Sequence, residues 1–196
     1  MKTLYIDCFA GIAGDMFIGA LLNLVPNPEF FRNEIRKITA LDPHEYELII
    51  ERSTKNGLDG INFDVHTHEH HHHHRHLADI EDMISGSALS QRVKREAIRA
   101  FSLLADAEAN VHGTTPDKIH FHEVGAVDSI IDITGAFILM EALGWPRVIF
   151  SPLNVGSGTV TCAHGVLPVP APAAEYILHG LPVFSSGSPR LIFLSP

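Results

Sequence analysis

Residues 118–144, KIHFHEVGAVDSIIDITGAFILMEALG, constrain this chain more than any other stretch. A short segment, Lys118–His122, passes through Glu123 and Gly125 straight into a long apolar helix. That helix carries Ile130, Ile131, Ile133, Phe137, Ile138 and Met140, more apolar surface than one side of a helix leaves in water. A strand that feeds such a helix calls for layers of sheet and helix. The same order occurs at the start: LYIDCF reads as a buried strand, Ala10–Gly14 as a turn, and MFIGALLNLV as a helix ended by Pro26 and Pro28. The alternation predicts an α/β or α+β fold, a mixed β-sheet flanked by helices, with at least one parallel crossover. Glu45–Arg52 and Gly60–Val65 read as two further strands around a turn at Ser53–Asp59 that contains Asn56-Gly57, and predict an antiparallel edge.

The same stretches hold the candidate chemistry. His120 and His122 are two apart, so both imidazoles leave one face of a strand. Asp128 and Asp132 are four apart, which stacks their carboxylates on one face of the helix. With Glu123, these residues bring two imidazoles and up to three carboxylates to a strand-to-helix junction, a donor set for a divalent metal or a metal-bound phosphate. The plainer reading is a buried strand with polar ends and a helix whose acids face water. Asp7 stands near the carboxyl end of the first strand, where ligands of α/β sheets gather, and an acid within an apolar strand needs a partner. Asp15 reads equally as a helix cap or a ligand. Gly11 and Gly14 lie in a strand–turn–helix junction that exposes N–H groups to an anion, although DCFAGIAGD is neither a Walker loop nor a dinucleotide fingerprint. A second loop, NVGSG, offers Gly156, Ser157 and Gly158 to a phosphate or nucleotide. His164 reads either as a ligand or as a histidine bonded locally in its turn.

Fourteen histidines are present, and eight fall within HTHEHHHHHRH: His66, His68, His70, His71, His72, His73, His74 and His76. The run has no hydrophobic period, so it predicts a disordered loop rather than core. Dense imidazole takes borderline divalent ions, with affinity rising through cobalt and nickel to copper. Its internal position and its interruption by Thr67, Glu69 and Arg75 argue against a purification tag. The formal charge of −9 suits cations, and argues against general nucleic-acid binding or a basic membrane patch. Cys8 and Cys162 form no CxxC pair, which fits a reduced cytoplasm. The first residues lack the apolar run of a signal peptide, and no segment has the length of a transmembrane helix. Leu77–His112 reads as helical with a break at Gly86-Ser87, and Arg92, Lys94, Arg95 and Arg99 read as solvated charges.

Three segments in order, YIDCFAGIAGDMFIGALL, IHFHEVGAVDSIIDITGA and SPLNVGSGTVTCAHGVLPVPAPA, with a histidine-rich insertion between the first two, resemble one family. The chain is similar to the N-terminal part of the LarC nickel-insertion proteins of the lactate racemase nickel-pincer pathway. The resemblance implies a cyclometallase. It would place Ni2+ into pyridinium-3,5-bisthiocarboxylic acid mononucleotide, a nicotinic-acid-derived substrate, with CTP and Mn2+ or Mg2+. It implies one N-terminal domain over 1–184 with the histidine insertion at 66–76, a tail at 185–196 unlike the family, and a nucleotide-binding C-terminal domain that is absent here. The implied partners are that domain or a separate subunit, lactate racemase or another nickel-pincer enzyme, and further copies of the chain in a homo-oligomer. Two other functions compete: nickel storage or delivery without catalysis, and metal-dependent phosphate hydrolysis by the acids and histidines.

Overall fold

The computed structural model describes residues 2–68, 75–121, 124–162 and 165–186. In chain order the elements are β1 (Thr3–Ile6), α1 (Gly14–Leu22), α2 (Glu29–Ile35), β2 (Tyr46–Lys55), β3 (Leu58–Thr67), β4 (Arg75–His76), α3 (Leu77–Gly86), α4 (Gln91–His112) and a 3-10 turn at Pro116–Lys118. They continue with β5 (His120–Phe121), α5 (Val127–Ala142), β6 (Arg147–Phe150), β7 (Leu153–Asn154), β8 (Thr159–Cys162), β9 (Gly165–Pro168), α6 (Pro172–Leu178) and β10 (Val183–Phe184). The mixed α/β class is as the alternation predicts. The described strands pair two by two: β1–β6 and β7–β10 are parallel, while β2–β3, β4–β5 and β8–β9 are antiparallel. None of the described helices is long and apolar enough to cross a membrane.

The chain divides into two compact units. The second takes in the described residues of 14–102 and 120–145. Its core lies where α1, α2 and α5 meet β3, and buries Ile18, Leu21, Leu22, Phe31, Ile35, Ile130 and Ile131. Two glycines permit the contact. A Cβ at Gly19 would fall 2.6 Å from the Ile61 carbonyl oxygen, and one at Gly135 would fall 2.7 Å from Phe31 Cζ. Phe31 also meets Phe63 edge to face at 5.6 Å. Helix α5 starts with Asp128 in its first turn, where a negative charge suits the dipole. It stops at Gly144, whose φ of 79° only glycine adopts readily. There the Gly144 N–H bonds the Glu141 carbonyl and the Trp145 N–H bonds the Met140 carbonyl, closing the helix end.

Hairpin β2–β3 is tighter than the sequence suggested. Its strands extend to Lys55 and from Leu58, leaving only Asn56-Gly57 to turn, at φ of 54° and 80°. Two consecutive positive φ values match the twist of the flanking strands, so the ladder persists to the turn. At the other end the pairs Tyr46↔Thr67 and Glu47↔His66 extend β3 into the histidine run. His66 and Thr67 are therefore strand rather than loop, because ladder hydrogen bonds outweigh local polarity. Along α4, Val93, Ala97 and Phe101 are buried as their spacing predicts. Arg92 is more than a solvated charge: its guanidinium lies 4.0 Å from the centre of the Trp145 ring.

The first unit takes in the described residues of 1–13, 103–119 and 146–196. Here β1 pairs with β6 in the register Thr3↔Arg147 to Ile6↔Phe150. The chain after β6 continues the pairing, as the Ser151 N–H bonds the Ile6 carbonyl and the Asn154 N–H bonds the Cys8 carbonyl. Asn154, nearly buried, joins three segments: its Nδ2 donates to the Phe9 carbonyl at 2.8 Å and to Ser186 Oγ at 3.1 Å, and its Oδ1 accepts the Gly156 N–H.

Candidate functional site

Two groups of polar side chains stand out in the second unit. The first centres on Asp132 of α5. Its carboxylate presses against the start of α1, where a Cβ at Gly14 would fall 2.1 Å from Asp132 Oδ2. Gly14 is glycine for that close approach; Gly11, in the first unit, is glycine for its φ of 87°. Asp132 Oδ1 is buried with no hydrogen-bond partner among the described residues. Its pKa is pushed up to about 7, first by burial and then by Asp15, Asp128 and Asp64. Acids from α1, α5 and β3 thus bear on one carboxyl group. Asp64 was not among the sequence candidates. Its position within a strand gives no signal until β3 is laid against α1 and α5. Asp64 Oδ2 also lies 2.9 Å from His66 Nε2.

The second group is a pair of imidazoles. Strands β4 and β5 set His76 directly opposite His120, and the ring centres are 3.9 Å apart with the planes at 49°. His76 is the N-cap of α3: a ring nitrogen accepts the Asp79 N–H while the Asp79 carboxylate accepts the His76 N–H at 2.7 Å. The adjoining turn is held by Arg75, whose Nη1 donates to the Gly125 carbonyl at 2.5 Å. The sequence paired His120 with His122. The structure brings the last histidine of the 66–76 run to His120, and His122 lies outside the described residues.

The remaining candidates fall as follows. Asp7 is exposed and lies just past β1, in the first unit, so it is not the buried strand acid inferred from its apolar neighbours. Asp15 sits inside the first turn of α1 rather than capping it. The Gly156–Gly158 loop is tied up internally: the Gly156 N–H goes to Asn154, the Gly156 carbonyl accepts Ser185 Oγ, and the Gly158 carbonyl accepts the Val169 N–H. Ser157, between them, is half-buried. That loop gives up part of its polar backbone to the fold instead of to a nucleotide. His66 and His68 are exposed at the end of β3. His70, His71, His72, His73, His74, His122, Glu123 and His164 lie outside the described residues.

Chemically, the acids are hard oxygen donors of the kind Mg2+ and Mn2+ take, and the imidazoles are donors for nickel. Among the described residues, no three His, Cys, Asp or Glu side chains are placed to share one ion. Among the described residues the acids do not by themselves supply a three-ligand site for Mg2+ or Mn2+. What it offers is a carboxyl group that exchanges a proton near neutrality. The imidazole pair offers two of the ligands a nickel ion needs.

Comparison with known proteins adds a family to this geometry. Residues 4–192 match the family described as nickel insertion protein. The chain is 46% identical over 194 residues to the pyridinium-3,5-bisthiocarboxylic acid mononucleotide nickel insertion protein of Clostridium kluyveri, covering 93% of this chain and 48% of the relative. It is 46% identical to the protein of the same name from Desulfitobacterium hafniense, over 94% of this chain and 45% of the relative. With the Akkermansia muciniphila protein of that name the identity is 49%, over 90% and 45%. The chain spans about half the length of the curated relatives it matches. No solved structure matches it.

Proposed function

The chain belongs to the nickel insertion protein family, and from that premise we propose that it is the nickel-holding, N-terminal part of a cyclometallase. The substrate is pyridinium-3,5-bisthiocarboxylic acid mononucleotide, the compound that names its relatives. The product carries one carbon–nickel and two sulfur–nickel bonds. The observation that carries this reading is the contact between His76 and His120, which joins the end of the histidine run to an ordered element. Nickel is cargo here. The run from His66 to His76 gathers it, and His76 with His120 presents it at a fixed place. A pair of imidazoles leaves the other positions of the ion to the substrate sulfurs.

Forming the carbon–nickel bond replaces a ring hydrogen, which leaves as a proton. Asp132 has the chemistry such a base needs: its pKa of about 7 leaves an appreciable ionised fraction at neutral pH, and its buried Oδ1 has an open lone pair among the described residues. Burial first, and then repulsion from Asp15, Asp128 and Asp64, keep that carboxyl basic. The resemblance implies that the reaction uses CTP and Mn2+ or Mg2+, and that CTP binds in the half of the polypeptide this chain does not cover. The test is nickel transfer. The chain, with the uncovered half of a relative, CTP, manganese and the pyridinium precursor, gives the nickel-pincer product. His120→Ala and Asp132→Asn slow it at limiting nickel, and only Asp132→Asn slows it at saturating nickel. No product under any of these conditions defeats the proposal.

Nickel storage without catalysis is the second reading, and it needs only the histidine run of residues 66–76. Replacing the histidines of the run by serine separates the two. Storage disappears with them, whereas product formation at ample nickel persists if the ordered residues do the chemistry.

A further inference from the structure

The two units differ sharply in how they treat apolar surface. Among the described residues, the largest fully buried side chains, from Ile18 to Ile131, all belong to the second unit. Eleven of the fourteen large apolar side chains left exposed among them belong to the first. The exposure sits on the strands themselves. Tyr5 and Ile149 are register partners on one face of β1–β6 and are 61% and 39% exposed; Phe150 is 51% exposed, and Phe9, just past β1, is 71% exposed. Parallel strands are ordinarily covered on both faces, because every connection between them places chain above or below the sheet. A parallel pair with tyrosine, isoleucine and phenylalanine open to water is part of a larger packed structure.

We propose that the Tyr5–Ile149 face, with Phe9 beside it, is the docking surface for the half of the nickel insertion polypeptide that this chain does not cover. The inference rests on the reading that the chain works with that half. Relatives carry about as much chain again in the same polypeptide, so the occupant stands at high effective concentration wherever the two halves are joined. A second copy is the poorer occupant, since each copy carries a formal charge of −9 and face-to-face stacking brings those charges together. Exposed aromatic side chains such as Tyr5 and Phe9 are the kind on which such interfaces depend.

The experiment mixes the full chain with the uncovered half of the Clostridium kluyveri relative, each purified separately, and follows the mixture by light scattering and amide exchange. A one-to-one complex forms, and amides of residues 3–9 and 147–155 slow on binding. Phe9→Lys and Tyr5→Lys, both at exposed positions, weaken the complex at least about tenfold. Leu58→Lys, at the turn of the β2–β3 hairpin, leaves it unchanged. Circular dichroism confirms that each variant is folded. The proposal is overturned by no complex at about 100 µM, where an interface of ordinary size is well populated. It is also overturned if Phe9→Lys and Tyr5→Lys bind as the parent does, or if the chain alone dimerises with the same amides protected. No nickel or precursor is present, so this result is independent of the nickel-transfer test.

Discussion

Replacing Asp132 by asparagine should make the protein more stable, and more so as the pH rises. A carboxyl whose folded pKa lies above its unfolded value binds its proton more tightly in the folded state. It therefore burdens the fold wherever the unfolded chain is ionised, fully above about pH 7 and not at all below the ordinary 3.8. The gap between those values corresponds to an upper bound of roughly 4 kcal/mol. The side chain is only partly buried, so solvent screening reduces this to about 2 kcal/mol. An asparagine side chain cannot ionise, and Asp132→Asn should gain that amount at pH 8. Urea unfolding of both proteins at pH 5 and pH 8 supplies the measurement. The change in the difference between them over that interval should be about 1 kcal/mol, favouring the variant at the higher pH. Comparing the two pH values removes any constant penalty for the buried amide. A difference that stays flat with pH would refute the reasoning, and Asp132 would then be an ordinary carboxylate with no claim to a proton-transfer role. The same substitution should lower nickel transfer, so stability gained where activity is lost is the joint signature.

Further outcomes follow from particular contacts. Gly19→Ala places a methyl group 2.6 Å from the Ile61 carbonyl, a backbone atom that cannot swing aside, and should cost about 2 kcal/mol in urea unfolding. Asn154→Ala removes two donated hydrogen bonds and one accepted, and should lower stability by about 2 kcal/mol, with the fastest amide exchange appearing around Phe9 and Gly156. A His76 ring nitrogen accepts the Asp79 N–H, and a neutral ring has only one nitrogen without a proton. Nickel bound through His76 must therefore displace the cap, and amide exchange at Asp79 and Ile80 should quicken on adding nickel; unchanged exchange would remove His76 from the ligand set.

Much of the fold could be read in advance because its signals are local. The helix at α5 follows from Ile130, Ile131 and Ile138, and the hairpin from Asn56-Gly57, although polar residues near the turn made it look longer than it is. The candidate site was harder because its contacts join distant residues. Asp132 meets Gly14 from 118 positions away, and spacing that put Asp128 and Asp132 on one helix face could not say what that face touches. Strands β4 and β5 are two residues each, too short to show a period, so nothing in the sequence set His76 against His120. Asp7 shows the opposite failure: an apolar neighbourhood in sequence is open to solvent in the first unit, whose strands leave Tyr5 and Phe9 exposed.

The central claim is that His76 and His120 hold nickel between them. Anomalous diffraction at the nickel edge, from crystals of the chain with the histidines of 70–74 replaced by serine and soaked in nickel, tests it most directly. A peak bonded to ring nitrogens of both residues is the expected result. A crystal that takes up nickel elsewhere and leaves that pair bare would contradict it.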